Sequence, residues 1–83
     1  MNQSLAYVRE VLSLYTDCSD TGKSIYSKMM KGHYKSEEAF VRELSEEESS
    51  FLNQVLEEEI QHAKNEQDSK RAHHLNDIYE LLF

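Results

Sequence analysis

Apolar residues recur along this chain at the three- and four-residue steps of a helix, and no stretch shows the two-residue alternation of a strand. Leu5, Val8, Leu12 and Tyr15 share one helical face, and the same phase runs on through positions 19, 22, 26, 29 and 33. The pattern predicts a first helix from about Ser4 to Lys31. Within it, Thr16–Ser24 is a poor helix former, and Gly22 costs about 1 kcal/mol against Ala. The helix is therefore expected to soften near Ser19–Gly22; a turn separating two short helices is the alternative. The small Ser19 and Gly22 would also allow another helix to come close there. Gly32 stands where a left-handed residue would end the helix, with Lys28 and Lys31 in a last turn that suits cations. Ser36 is placed to cap a short helix through Leu44, with Phe40, Val41 and Leu44 inward and Glu38–Arg42 paired outside.

From Ser45 to Phe83 the chain has neither Gly nor Pro. Ser45 and Glu48 form the S-x-x-E capping box, and Glu46, Glu47 and Glu48 place negative charge at the positive end of the helix dipole. Leu52, Val55, Leu56, Ile60 and Ala63 then make one apolar stripe, and Leu75, Ile78, Tyr79 and Leu82 a second. Positions 56, 60, 63, 67, 71, 75, 78 and 82 connect the two at about 3.7 residues per turn, slightly above the straight-helix value, with Gln67 and Arg71 as polar members. With no strong breaker present and Glu66–Lys70 a favourable pair, one helix of about 55 Å is expected. A kink or break within Asn65–Lys70 is the alternative.

The predicted fold is all-α: a helical hairpin or three-helix bundle with a short bridging helix and a long carboxy-terminal helix, forming a single helical domain over residues 1–83. The first helix and the nine-residue bridge could not cover a helix of about 55 Å, so Leu75, Ile78, Tyr79 and Leu82 would stay partly bare in a monomer. A homodimer is expected on that ground. The candidate interface comprises Met29, Met30, Tyr34, Leu75, Ile78, Tyr79, Leu82 and Phe83.

Composition narrows the function classes. Small size limits burial. No apolar run approaches a membrane span, and the amino terminus lacks the charged region and apolar core of a signal peptide. The single cysteine, Cys18, fits a reducing compartment, so a cytoplasmic location is expected. The net charge is −7 and uneven: residues 1–36 hold five Lys/Arg and three Asp/Glu (+2), residues 37–83 four and thirteen (−9). Such an acidic chain repels a phosphate backbone unless a basic face is segregated; the asymmetry predicts attraction between the halves.

The chemistry-bearing residues assemble no catalytic set. Glu59 and His62 match one Glu-x-x-His step of a di-iron bundle, but such a site needs two steps and further Glu. Adjacent His73 and His74 point to different helix faces; His73 with Asp77 could hold a weak surface ion. His33 is expected near a helix end. Cys18 lacks a Cys partner and any zinc-type spacing. Gly22-Lys23-Ser24 resembles the tail of a P-loop, but Asp17 stands where the first Gly is required. Lys23, Lys28, Lys31 and Lys35, interleaved with Tyr26, Met29, Met30 and Tyr34, are either a nucleic-acid or partner face or a lysine-rich helix end facing the acidic helix; the second is preferred. No catalytic, cofactor or metal residue is nominated. Nucleic-acid association through Lys23–Lys35 and a metal-binding bundle are the alternatives to an interaction protein.

The words EEAFVREL (Glu37–Leu44), SFLNQVLEEEI (Ser50–Ile60), AKNEQDSKRA (Ala63–Ala72) and LNDIYELLF (Leu75–Phe83) resemble a small family of sporulation-specific proteins from Bacillus-type endospore formers. These are transcribed under sigma-G, the late forespore sigma factor, and described as acid-soluble spore proteins. The resemblance covers the last half of the chain well and the first thirty residues loosely. It implies a time and a place, the developing forespore or spore core, and no defined biochemical activity. DNA-coating spore proteins with a similar label are a different group; their Gly-rich, nearly neutral character is absent here. The expected role is that of a non-enzymatic forespore protein acting by self-association or protein–protein interaction.

Overall fold

A computed structural model describes residues 3–32 and 34–82. Five helices and no strand occur among them: α1 (Gln3–Ser13), α2 (Asp20–Lys31), α3 (Glu37–Arg42), α4 (Glu46–Asn65) and α5 (Ser69–Tyr79). The all-α expectation holds, with more and shorter helices than the periodicity suggested.

The predicted first helix is two. Past Ser13 the backbone tightens into turns, with Leu14 N–H donating to the Val11 carbonyl at 3.1 Å and Tyr15 to Leu12 at 2.9 Å. Ser19, in extended conformation, then caps α2 by accepting from the Gly22 N–H at 3.1 Å. The apolar phase survives because α2 packs back against α1, and both send their stripes to one core. The close approach expected at Gly22 is present: a Cβ there would lie 2.9 Å from Tyr15 Cβ and 3.3 Å from Phe51 Cζ.

The single helix over residues 46–82 is likewise corrected. The capping box at Ser45 and Glu48 forms as expected, but α4 stops at Asn65 and Gln67 adopts φ 61°. Asp68 N–H reaches the Ala63 carbonyl at 2.8 Å, and Gln67 N–H the Lys64 carbonyl at 3.1 Å. These two bonds make a Schellman turn, with Gln67 at the left-handed position that Gly usually takes. Asp68 then caps α5 by accepting from Arg71 N–H at 3.1 Å. So α5 folds back along α4, and the whole molecule measures 31 × 28 × 21 Å, too short for a helix of about 55 Å.

Gly32 departs from expectation as well. Its φ of −91° and ψ of 152° are extended, not left-handed. A Cβ there would lie 2.6 Å from Tyr34 Cε2, at the far end of a side chain whose ring packs edge-on to Phe40 at 5.4 Å, so the ring would have to shift to admit one. Ser36 caps α3 as predicted, accepting from Ala39 N–H, and the exposed Arg42–Glu38 pair stands at 4.0 Å.

One core joins all five helices. Leu5, Val8 and Leu12 from α1, Ile25 from α2, Phe40 from α3, Leu52 and Leu56 from α4, and Leu75 and Ile78 from α5 are buried in it. Burying a large apolar side chain contributes roughly 1.5–3 kcal/mol, and this shared burial pulls the two helical hairpins together. Leu75, Ile78 and Leu82 are thus covered by their own chain. The bare helix end that called for a dimer does not exist.

Candidate functional site

Two polar joints and one groove hold the residues able to do more than fill space. The first joint ties α2 to the start of α4. Glu48, in the first turn of α4, is 6 % exposed, and its carboxylate collects three donors. Lys28 Nζ pairs with Oε1, Ser45 N–H donates to the same oxygen at 2.8 Å, Ser24 Oγ donates to Oε2 at 2.7 Å, and Lys28 also donates to the Glu43 carbonyl at 2.8 Å. Burial pushes the Glu48 carboxyl upward and is the largest single influence. The hydrogen bonds from Lys28, Ser45 and Ser24, with the Lys28 charge, together outweigh it and bring the pKa down to about 2. Of the basic stretch, Lys28 pairs with α4 in this way, while Lys23, Lys31 and Lys35 are exposed.

The second joint ties the start of α1 to α5. Ser4 Oγ donates to Asp77 Oδ2 at 3.0 Å and lies 3.0 Å from His74 Nδ1. With its proton given to Asp77, the hydroxyl is left to accept from His74 in the tautomer that carries a proton on Nδ1. Tyr7 stacks on the His74 ring at 5.1 Å, and Arg71 lies 6.0 Å over the other aromatic partner, Tyr7. Arg71 also reaches Glu10 at 3.1 Å and Glu59 at 3.7 Å, fastening α5 to both α1 and α4. A nucleophilic triad needs Ser donating to His, with the carboxylate on the far ring nitrogen. Here Ser4 donates to the carboxylate instead, and it is 3 % exposed. The trio is built as a clasp between helices.

The groove lies between α1 and α2. Ala6, Tyr7, Tyr26 and Met30 line it, with Arg9 and Glu10. Met30 is 54 % exposed and, with Leu14 and Leu81, is one of the large hydrophobics left open among the described residues.

The sequence-predicted residues divide accordingly. Met29, Leu75, Ile78 and Leu82 are core residues and offer no surface. Tyr34 and Tyr79 are half-buried against the core, and Met30 is open. Phe83 and His33 lie outside the described residues. Glu59 turns toward Arg71 and His62 toward Glu66, at 2.9 Å, so the two are not drawn together. Among the described residues no group of three or more His, Cys, Asp or Glu is gathered to hold a metal ion. Asp77 meets Ser4 rather than His73. Cys18 is exposed in the α1–α2 turn. No described helix is long and apolar enough to cross a membrane.

Comparison with known proteins bears on this chain along its full length. The CsgA family model, whose description reads minor curli fiber component A, matches residues 1–83. A protein of Bacillus subtilis (strain 168) named sigma-G-dependent sporulation-specific SASP protein is 49% identical over 82 residues, covering 99% of each chain. The chain belongs to the CsgA family, the family of that sporulation protein. No solved structure matches.

The described residues of this CsgA-family chain contain no strand. The resemblance first seen in the last half of the sequence extends, by the relative's coverage, through the first thirty residues too.

Proposed function

We propose that this chain serves sporulation as a non-enzymatic helical protein of the forespore, acting by contact with protein chains, copies of itself included. The observation that carries the reading is the end-to-end match, at 49% identity, with a sporulation-specific protein. The polar clusters support it: both the Glu48 and the Ser4 groups spend their hydrogen bonds on joining helices. The α1/α2 groove, with Met30 open in it, is the apolar surface left over for a partner.

The test is photo-crosslinking during sporulation. The chain is expressed in sporulating Bacillus subtilis from the promoter of the 49% identical relative, with a benzophenone amino acid in place of Met30 or of Glu57. Adducts from position 30, absent from position 57 and from vegetative cells, are expected. Absence of any protein adduct from position 30 in cells that accumulate the folded chain overturns the reading.

A further inference from the structure

We propose that the α1/α2 groove is the docking surface for a second copy of this chain, related by a two-fold axis. The inference rests on the protein-contact reading above and names the partner. Two observations lead to it: which apolar groups the fold leaves open, and where two acidic copies can approach.

Tyr7 and Tyr26 are half-buried in the groove, and Met30 exposes 54 % of its surface there. Tyr and Met are residues that interfaces favour over the rest of a surface. Tyr7 is also held rigid, stacked on His74 with Arg71 above, so little side-chain freedom remains to be lost on docking.

Charge selects the occupant. At a net −7, two copies repel each other wherever acidic surfaces meet. The trough along the outer face of α4 carries Glu57 and Glu58, which would oppose themselves across a two-fold axis. The hollow at the end of α2 carries Lys31 and Lys28, the latter already paired with Glu48, and the groove between α4 and α5 carries Lys64; neither lining holds a carboxylate for a two-fold exchange of ion pairs. The α1/α2 groove holds one cation and one anion, Arg9 and Glu10. A two-fold pairing can set Arg9 of each copy against Glu10 of the other, the self-complementary arrangement that an isologous interface requires. Glu10 is paired with Arg71 through one oxygen only and is 67% exposed, so it remains reachable. The resulting contact is two short helices against two, a four-helix arrangement of ordinary geometry.

Sedimentation equilibrium of the full purified chain, from about 10 µM to about 1 mM, reads the association directly. A reversible monomer–dimer equilibrium is expected. Met30→Asp and Arg9→Glu, each changing a solvent-reachable side chain, should weaken it by at least about tenfold while leaving the helical circular dichroism unchanged. Leu14→Asp and Leu81→Asp, open hydrophobics outside the groove lining, should leave it intact. A chain that stays monomeric throughout, or a dimer that ignores Met30→Asp and yields to Leu14→Asp or Leu81→Asp, overturns the proposal. If the purified chain is monomeric while position 30 still crosslinks to a different protein in sporulating cells, the second-copy assignment falls and the protein-contact reading stands.

Discussion

Replacing Glu48 by Gln should destabilise the fold at neutral pH and cease to matter in acid. The carboxylate is buried with three donors around it, and its pKa falls from the ordinary 4.5 to about 2. At about 1.4 kcal/mol per pH unit, that fall represents on the order of 3 kcal/mol of stability contributed by the ionised group. The sign follows from the direction. A folded-state pKa below the unfolded one stabilises fully above 4.5, and the contribution fades as pH drops from 4.5 through about 2. Gln keeps the shape and one acceptor oxygen but loses the charge, leaving the Lys28 ammonium without its partner. The expected loss for Glu48→Gln is therefore about 2–3 kcal/mol at pH 7. Urea unfolding monitored by helical circular dichroism, on wild type and variant in parallel at pH 7, 4 and 2, isolates the effect, because the other carboxylates titrate alike in both. The gap should narrow at pH 4 and largely close at pH 2. Lys28→Met should be comparably damaging at pH 7, and combining it with Glu48→Gln should cost less than the two losses added. A Glu48→Gln variant as stable as wild type at pH 7, or a deficit that persists undiminished at pH 2, would refute the reasoning.

Three further outcomes are expected. Gln67→Gly should raise stability by about 1 kcal/mol, seen as a higher urea midpoint, because Gln67 holds φ 61° in a position where a side chain is disfavoured. Gly22→Ala should lower it by about 1–2 kcal/mol despite better helix propensity, because Tyr15 Cβ and carbonyl stand 2.9 and 3.1 Å from the new methyl and are anchored in backbone. Ser4→Ala should cost about 1–2 kcal/mol by leaving His74 and Asp77 without the hydroxyl between them; hydrogen exchange should quicken in the first turns of α1 while α4 stays protected, and uniform quickening would argue against a local clasp.

What the sequence determined by itself is what neighbouring residues decide among themselves. The helical character of every segment was legible in the step of the apolar residues, and the starts of α3 and α4 in Ser36 and Ser45, since a cap is made by a hydroxyl and an amide three residues on. The close approach at Gly22 was legible because only glycine leaves such space. The two breaks stood only as alternatives, a turn within Thr16–Ser24 and a break within Asn65–Lys70, and no local signal decided for them. An apolar phase continues unbroken through a turn whenever both flanking helices return to the same core, so the count from Leu56 to Leu82 cannot tell one helix from two antiparallel ones. The fold-back at Gln67 uses a residue with no special liking for the left-handed region; it is held there by the Ala63 and Lys64 carbonyls and by the burial of Leu75 and Ile78 against the shared core. That burial is a tertiary gain, and it moved those residues from a predicted interface into the interior. The Ser4–His74–Asp77 clasp lay further still from view, because its partners stand 70 and 73 positions apart and no local spacing encodes them. Once α5 had turned back onto α1, the same fold set Tyr7 beside His74 and left Met30 open; the sequence had already nominated Met30, but its gathering with Tyr7, Arg9 and Glu10 in one groove required the helices to be placed.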